Sequence, residues 1–114
     1  MTECLFCKMV NGDIPPDKVY EDDDVLAFND INPQAPVHIL IIPKKHIATL
    51  NDAQESDTPV LGKLNQVAAE LAENAGYAED GYRVVMNCNS AGGQAVYHIH
   101  LHILAGRQMS WPPG

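Results

Sequence analysis

The chain has no apolar run approaching the ~20 residues that a membrane-spanning helix needs. Its opening, Met1-Thr2-Glu3-Cys4, lacks the basic and apolar regions of a signal peptide. Together these absences predict a cytoplasmic protein without a membrane partner. Basic residues are scarce as well: 7 Lys and Arg stand against 15 Asp and Glu, a formal charge of −8. Such a balance argues against a broad nucleic-acid-binding face. It leaves room for a small phosphorylated ligand held by local donors, because net charge says little about one cleft. Only three cysteines are present, Cys4, Cys7 and Cys88. In a reducing compartment a structural disulfide is not expected, so Cys4-x-x-Cys7 points to metal or redox chemistry. There is no Walker-type phosphate loop and no carboxylate cluster suited to magnesium. Internal repeats, low-complexity tracts and long linkers are also missing. With 114 residues, 46% apolar and 19% charged, residues 1–114 are expected to form one domain with a real core.

What is there reads as an α+β fold. Residues 5–11 suit a short amphipathic helix stopped by Gly12 and Pro15-Pro16. Residues 18–21 and 25–29 read as a hairpin around the acidic turn Asp22-Asp23-Asp24, a turn more consistent with a solvated bend than with a metal site. Residues 37–42, bounded by Pro36 and Pro43, form a near-continuous apolar strand that predicts burial on both faces. One long helix follows, with Thr58 as N-cap and Pro59 at the first helical position. Its stripe runs through Val60, Leu61, Leu64, Val67, Ala68, Leu71 and Ala75, and Gly76 ends it. A strand over 82–87, a glycine turn through Ala91-Gly92-Gly93 and a last strand over about 96–105 complete an antiparallel, roughly five-stranded sheet. Lys44 and Lys45 are expected in solvent, and Cys88 as a partly buried, inert thiol. An open edge strand or the helix stripe could serve a dimer face.

The chemistry concentrates in His98-Ile99-His100-Leu101-His102. Alternation with period two sends three imidazoles to one face, about 6–7 Å apart at their α-carbons. Ile99, Leu101 and Ile103 fill the other face. A lone strand histidine is usually packing, but three in register out of five are not explained that way. Such a row can chelate a metal, or it can supply a nucleophile with flanking proton handlers. The polar turn holding Asn87, Ser90, Gly92, Gly93 and Gln94 lies directly before it and could gather backbone N–H groups around an anion.

The run His98-Ile99-His100-Leu101-His102-Ile103-Leu104 matches His-φ-His-φ-His-φ-φ, with φ apolar, and so resembles the histidine triad superfamily. The segments 30–36, 42–47, 92–94 and 107–114 are similar to its histidine triad nucleotide-binding branch. That resemblance implies a HIT-like fold, a homodimer with an extended sheet, and a purine nucleoside phosphoramidase. Such an enzyme cleaves a P–N bond through a nucleotidyl-histidine and needs no cofactor for catalysis. It implies His100 as nucleophile, His102 at the phosphate oxygens or leaving group, and His38 tuning the row. Asp30 would accept the ribose hydroxyls; Asn87, Gly93, Gln94 and Ala95 would lie on the phosphate side. Leu5, Phe6, Met9, Ile14, Phe28 and Ile31 would form the purine slot, with Trp111 reaching in from the partner subunit. Two departures from close relatives stand out: Ala95 replaces a serine, and Ser110 a histidine found in some members.

Cys4, Cys7, His46 and His98 together offer a Cys₂His₂ set of the kind zinc prefers, which would be structural. The competing reading puts His46 and His98 in a proton relay with both cysteines merely packed. Other readings of the whole chain are a dinucleoside polyphosphate hydrolase on the same row, a nucleotide-binding scaffold, and a zinc hydrolase using the row itself.

Overall fold

The computed structural model describes residues 4–114, so the reading of the start at residues 1–3 lies outside the described residues. Helix α1 is Leu5–Val10, strands β1 and β2 are Lys18–Glu21 and Val25–Asn29, and β3 is Val37–Pro43. Helix α2 spans Thr58–Asn74, followed by β4 (Arg83–Val85), a helical turn α3 (Asn89–Gly92) and β5 (Leu101–Ala105). The five strands pair antiparallel in the order β1-β2-β3-β5-β4. No helix among the described residues is long and apolar enough to cross a membrane.

Strand β3 stands in the middle of the sheet, and like its neighbour β2 it is apolar on both faces. Ile39 and Ile41 pack with Ile99, Leu101 and Ile103 beneath Leu64, Val67, Ala68 and Leu71 of α2. Leu40 and Ile42 pack with Leu26, Phe28 and the Phe6 of α1 on the other side. The helix stripe is therefore core, although Ala75 is exposed and Ala72 takes the buried place. The first helical residue is Thr58, and Asp57 occupies the N-cap position. Asp57 instead accepts from the Gln54 amide at 2.9 Å and from Lys45 at 2.6 Å. The two lysines expected in solvent are thus both paired, Lys44 with Glu21 at 2.7 Å. In the acidic turn, Asp22 accepts from the amides of Asp24 and Val25. Lys63 bridges Asp22 and Asp24, so a side-chain ammonium already supplies the cation.

Two expected strands are shorter than their patterns suggest. The residues at 82–87 pair only over Arg83–Val85, and the histidine strand begins at Leu101, not near 96. The cause lies in the register. Ile41 faces Leu101, so the next pair on this face would set Pro43 against Ile99. Proline has no N–H for a ladder, and its carbonyl accepts the His98 ring at 2.7 Å. The Ile99 amide turns instead to the Ile47 carbonyl at 2.8 Å. His98 and His100 consequently precede the strand, outside the regular ladder. The glycine turn is a helical one, closed by Gly93 at φ +86, a conformation favouring glycine.

Candidate active site

The sheet face away from α2 carries His38, Leu40, His102 and Leu104, since His102 stands opposite Leu40 and His38 opposite Leu104. His38 and His102 are diagonal neighbours, and their rings meet, Nε2 to Nδ1, at 2.9 Å. His100 lies 4.9 Å from His102 between ring centroids, and Phe6 stands edge-on to His100 at 5.1 Å. Phe6, His100 and His102 line a cavity of about 420 Å³, whereas His38 lies outside its lining and meets it through His102. Leu5, Phe6, Met9, Ile14, Phe28, Asp30, Ile31 and Ala95 of the expected site line it together with His100 and His102.

Hydrogen bonds fix which nitrogen of each ring carries its proton. A carbonyl only accepts, so the 2.8 Å contact from His100 Nδ1 to the His98 carbonyl puts the proton on Nδ1. The Nε2 atom of His100 keeps its lone pair. The Gln34 amide donates to His38 Nδ1 at 3.0 Å, so His38 carries its proton on Nε2 and donates it to His102 Nδ1. His102 must then hold its own proton on Nε2. That atom is buried and has no partner among the described residues, an arrangement that costs about 1–3 kcal/mol until a ligand accepts the bond. Lone pair and donor thus stand side by side in one cleft. Burial holds all three rings neutral. It lowers His38 and His100 below the usual imidazole range, and it pushes His102, beside His100 and His38, down to about 4.

Asp30 lies at the end of the cleft, 3.5 Å from His38 Nε2, and is oriented by the Asn32 amide at 2.8 Å. Sequence reasoning missed Pro15, Pro16, Asp17, Asn29, Leu40 and Val96, which also line the cavity. Leu40 was legible, two residues from His38 on the same strand face. Asp17 and Asn29, joined at 3.1 Å, meet only through the hairpin's closure. Other expected residues lie outside the cavity lining. Gln94 spends its side chain internally, accepting from the Asn89 amide and donating to the Ala48 and Val96 carbonyls. Gly93 caps α3, Asn87 is half-buried past β4, and Trp111 is 82% exposed in the tail. Wider grooves of about 570 Å³ flank β1 and the start of α2. Their lysines are already paired with Glu21, Asp22, Asp24 and Asp57, and no histidine lines them.

Behind the cleft, Cys4, Cys7, His46 and His98 bring one ligand atom each within 4.8 Å of all the others. Sulfur-to-nitrogen separations are 3.2–3.5 Å and the two Nδ1 atoms are 3.3 Å apart. A tetrahedral zinc with Zn–N of about 2.0–2.1 Å and Zn–S of about 2.3 Å has edges of about 3.3–3.8 Å. The donor set fits. His98 donates Nε2–H to Pro43, which turns its Nδ1 lone pair toward the cysteines, the orientation a ligating histidine requires. Burial pushes His98 down to about 4, so it is neutral and able to ligate. Asp30, His38 and His102 also cluster within 4.8 Å. An ion on His38 Nε2 would displace its proton to Nδ1, where the Gln34 amide already donates. This second cluster therefore does not suit a metal.

These features match known proteins. A model of the HIT domain matches residues 11–109. The purine nucleoside phosphoramidase of Escherichia coli K12 is 54% identical over 107 residues, covering 94% of this chain and 90% of its own. A 14 kDa zinc-binding protein of Zea mays is 54% identical over 112 residues, covering 96% and 87%. Among solved structures, a HIT family hydrolase from Legionella pneumophila superposes with a TM-score of 0.96 at 59% identity over 98% of this chain and 100% of its own. The protein is a histidine triad protein by fold and by site. It belongs to the HIT domain family.

Proposed function

We propose that this chain is a purine nucleoside phosphoramidate hydrolase, a single HIT domain that cleaves the P–N bond of adenosine 5′-phosphoramidates through a nucleotidyl-His100 intermediate. The observation that carries the reading is the pairing of a fixed lone pair on His100 with an unpartnered donor on His102 at the floor of an apolar cavity. The relative named for this activity, 54% identical, supports it. Phe6, Phe28, Leu5, Met9, Ile14 and Ile31 take the purine, and Asp30 takes the ribose hydroxyls. Asn87 and the amides near Gly93 and Ala95 approach the phosphate.

In the first half, the His100 Nε2 lone pair bonds to the α-phosphorus as the substrate's P–N bond breaks. The leaving nitrogen takes the Nε2 proton of His102. His100 is left cationic, its Nδ1–H still on the His98 carbonyl, and this charge offsets the proton His102 has given up. In the second half, water oxygen bonds to phosphorus, a water proton returns to His102, and the His100–phosphorus bond breaks. Both rings are restored, and amine and nucleoside monophosphate are the products. No divalent cation is required, because N–H donors offset the developing phosphate charge.

Zinc on Cys4, Cys7, His46 and His98 would supply a closed structural shell that joins α1 to the sheet and leaves His100 free. We place the protein in the cytoplasm as a homodimer whose partner subunit brings its tail to the cleft. The decisive experiment is trapping labelled AMP on the enzyme and mapping the modified residue, with His100 expected. His100→Ala is expected to lower turnover at least about a thousandfold while AMP still binds. Label on another residue, or substantial residual turnover, overturns the nucleophile. Side-by-side turnover of an adenosine phosphoramidate and a diadenosine polyphosphate separates this reading from a polyphosphate hydrolase.

A further inference from the structure

The proton that His102 presents is set by a chain of hydrogen bonds that leaves the cavity altogether. His102 Nδ1 accepts from His38, and His38 Nδ1 accepts from the Gln34 amide. Gln34 lies in an exposed loop over residues 31–36 that has no strand or helix of its own. Its amide stays on the ring only if that loop is braced. One end is tied to the site through the Asn32 amide on Asp30. The other brace comes from the corner after β5. Arg107 Nε donates to the Gln34 carbonyl at 2.9 Å, across 73 residues of chain. Gly106, at φ +98, packs so closely on Pro36 that a Cβ there would lie 2.8 Å from the proline ring.

We infer that Arg107 is a positioning residue for the reaction: through Gln34 it holds the His38 tautomer, and through His38 the proton that His102 offers to the cavity. It touches neither substrate nor the reacting atoms. The hydrogen bond made by one ring nitrogen decides what the other can do. Without a steady Gln34 amide, the His38 proton can move to Nδ1, and Nε2 becomes an acceptor. His102 must then donate from Nδ1, and its Nε2 turns from donor to acceptor. The leaving nitrogen would meet a lone pair where it needs a proton. Arginine suits this place because its planar fork directs a fixed N–H at the carbonyl, with Nη1 on the Gln108 carbonyl at 3.4 Å.

The inference rests on the proposed reaction, but its first readout does not. Nitrogen-15 NMR of the histidine side chains in the nucleotide-free protein reports each tautomer directly. In the parent, His38 is expected to show an unprotonated Nδ1 and a protonated Nε2. Arg107→Ala is expected to shift both signals toward a mixture and to lower kcat about tenfold, with KM for an adenosine phosphoramidate within about twofold. Arg107→Lys, which still offers a donor, is expected to recover part of both. Gln34→Pro removes the amide proton itself and is expected to give the same nitrogen change with a kcat loss of about ten- to a hundredfold. Unchanged His38 and His102 signals in both Arg107→Ala and Gln34→Pro would overturn the assignment. So would a fall in kcat for Arg107→Ala with the tautomers intact. If the parent turns over no phosphoramidate, the reaction fails on its own, while the nitrogen signals still decide the role of Arg107.

Discussion

His102 carries the most testable residue-scale consequence, because it faces the cavity and its proton affinity lies well below that of a free imidazole. Burial first, and then the neighbouring His100 and His38, push it down to about 4, against an ordinary value of 6.5. The sign follows from linkage. Above pH 6.5 the ring is neutral whether folded or unfolded, and pH has no leverage through it. Between 6.5 and 4 the unfolded chain binds the proton and the folded chain does not, so stability falls as the solution is acidified. Activity should persist with the neutral pair, and the acid limb of kcat/KM is expected below the ordinary imidazole value of 6.5. A limb centred near 6.5 would mean that the rings titrate like exposed histidines. Asp30 gives a second outcome. Its carboxylate is held toward the cleft by Asn32, and hydrogen bonds to a charged group are worth about 1.5–3 kcal/mol. Asp30→Ala is therefore expected to raise KM for ribose-containing substrates about tenfold or more, with kcat little changed. An unchanged KM would remove Asp30 from the ribose contact.

At the scale of elements, α1 is too short to stand alone, yet it carries Leu5, Phe6 and Met9 into the cavity. What holds it is its first turn. Cys4 Sγ caps the helix by accepting from the Cys7 amide at 3.3 Å, and both sulfurs converge with His46 and His98. A metal on this quartet would tie α1 and its cavity-lining side chains to the sheet without touching His100 Nε2. Chelation is accordingly expected to lower Tm and weaken AMP binding while kcat for bound substrate changes little. Cys4→Ser is expected to lose zinc on elemental analysis and to mimic the chelated protein; undiminished zinc would take Cys4 out of the set. This element also marks what the sequence could and could not say. Period-two spacing put the three histidines on one face, and that held because Ile99, Leu101 and Ile103 all sank into the α2 core. Spacing alone could not separate the three rings; what set His98 apart in the sequence was Cys4-x-x-Cys7 together with His46. Pro43 ends the ladder before Ile99, so His98 turns to the cysteines while His100 and His102 face the cavity. The Gln34 amide on His38 was equally invisible, because a backbone donor carries no residue signature. The structural role of Gln94 was hidden for a related reason: a polar residue after a glycine pair reads as a ligand contact until its partners are known.

At the scale of the whole molecule, the sheet has two edges, β1 and the three-residue β4. The tail lies near the second: Arg83 of β4 donates to the Ser110 carbonyl at 2.9 Å, and Trp111 follows, 82% exposed. A large indole left in water beside an open strand edge suits a contact made with another copy of the chain. The proposed dimer assigns Trp111 to the partner's cleft, and mixing variants tests that assignment without a structure. Trp111→Ala chains keep His100 but lack the indole; His100→Ala chains keep the indole but lack the nucleophile. If the tail acts across the twofold, a hybrid dimer contains one complete site, His100 from one chain and Trp111 from the other. After unfolding and refolding an equal mixture, kcat/KM is expected to exceed the mean of the two separate variants. If Trp111 serves its own chain, every surviving His100 lacks its indole and the mixture only averages. Sedimentation at twice the chain mass for both variants is the necessary companion result, because the gain can arise only where two chains share the sheet or its faces.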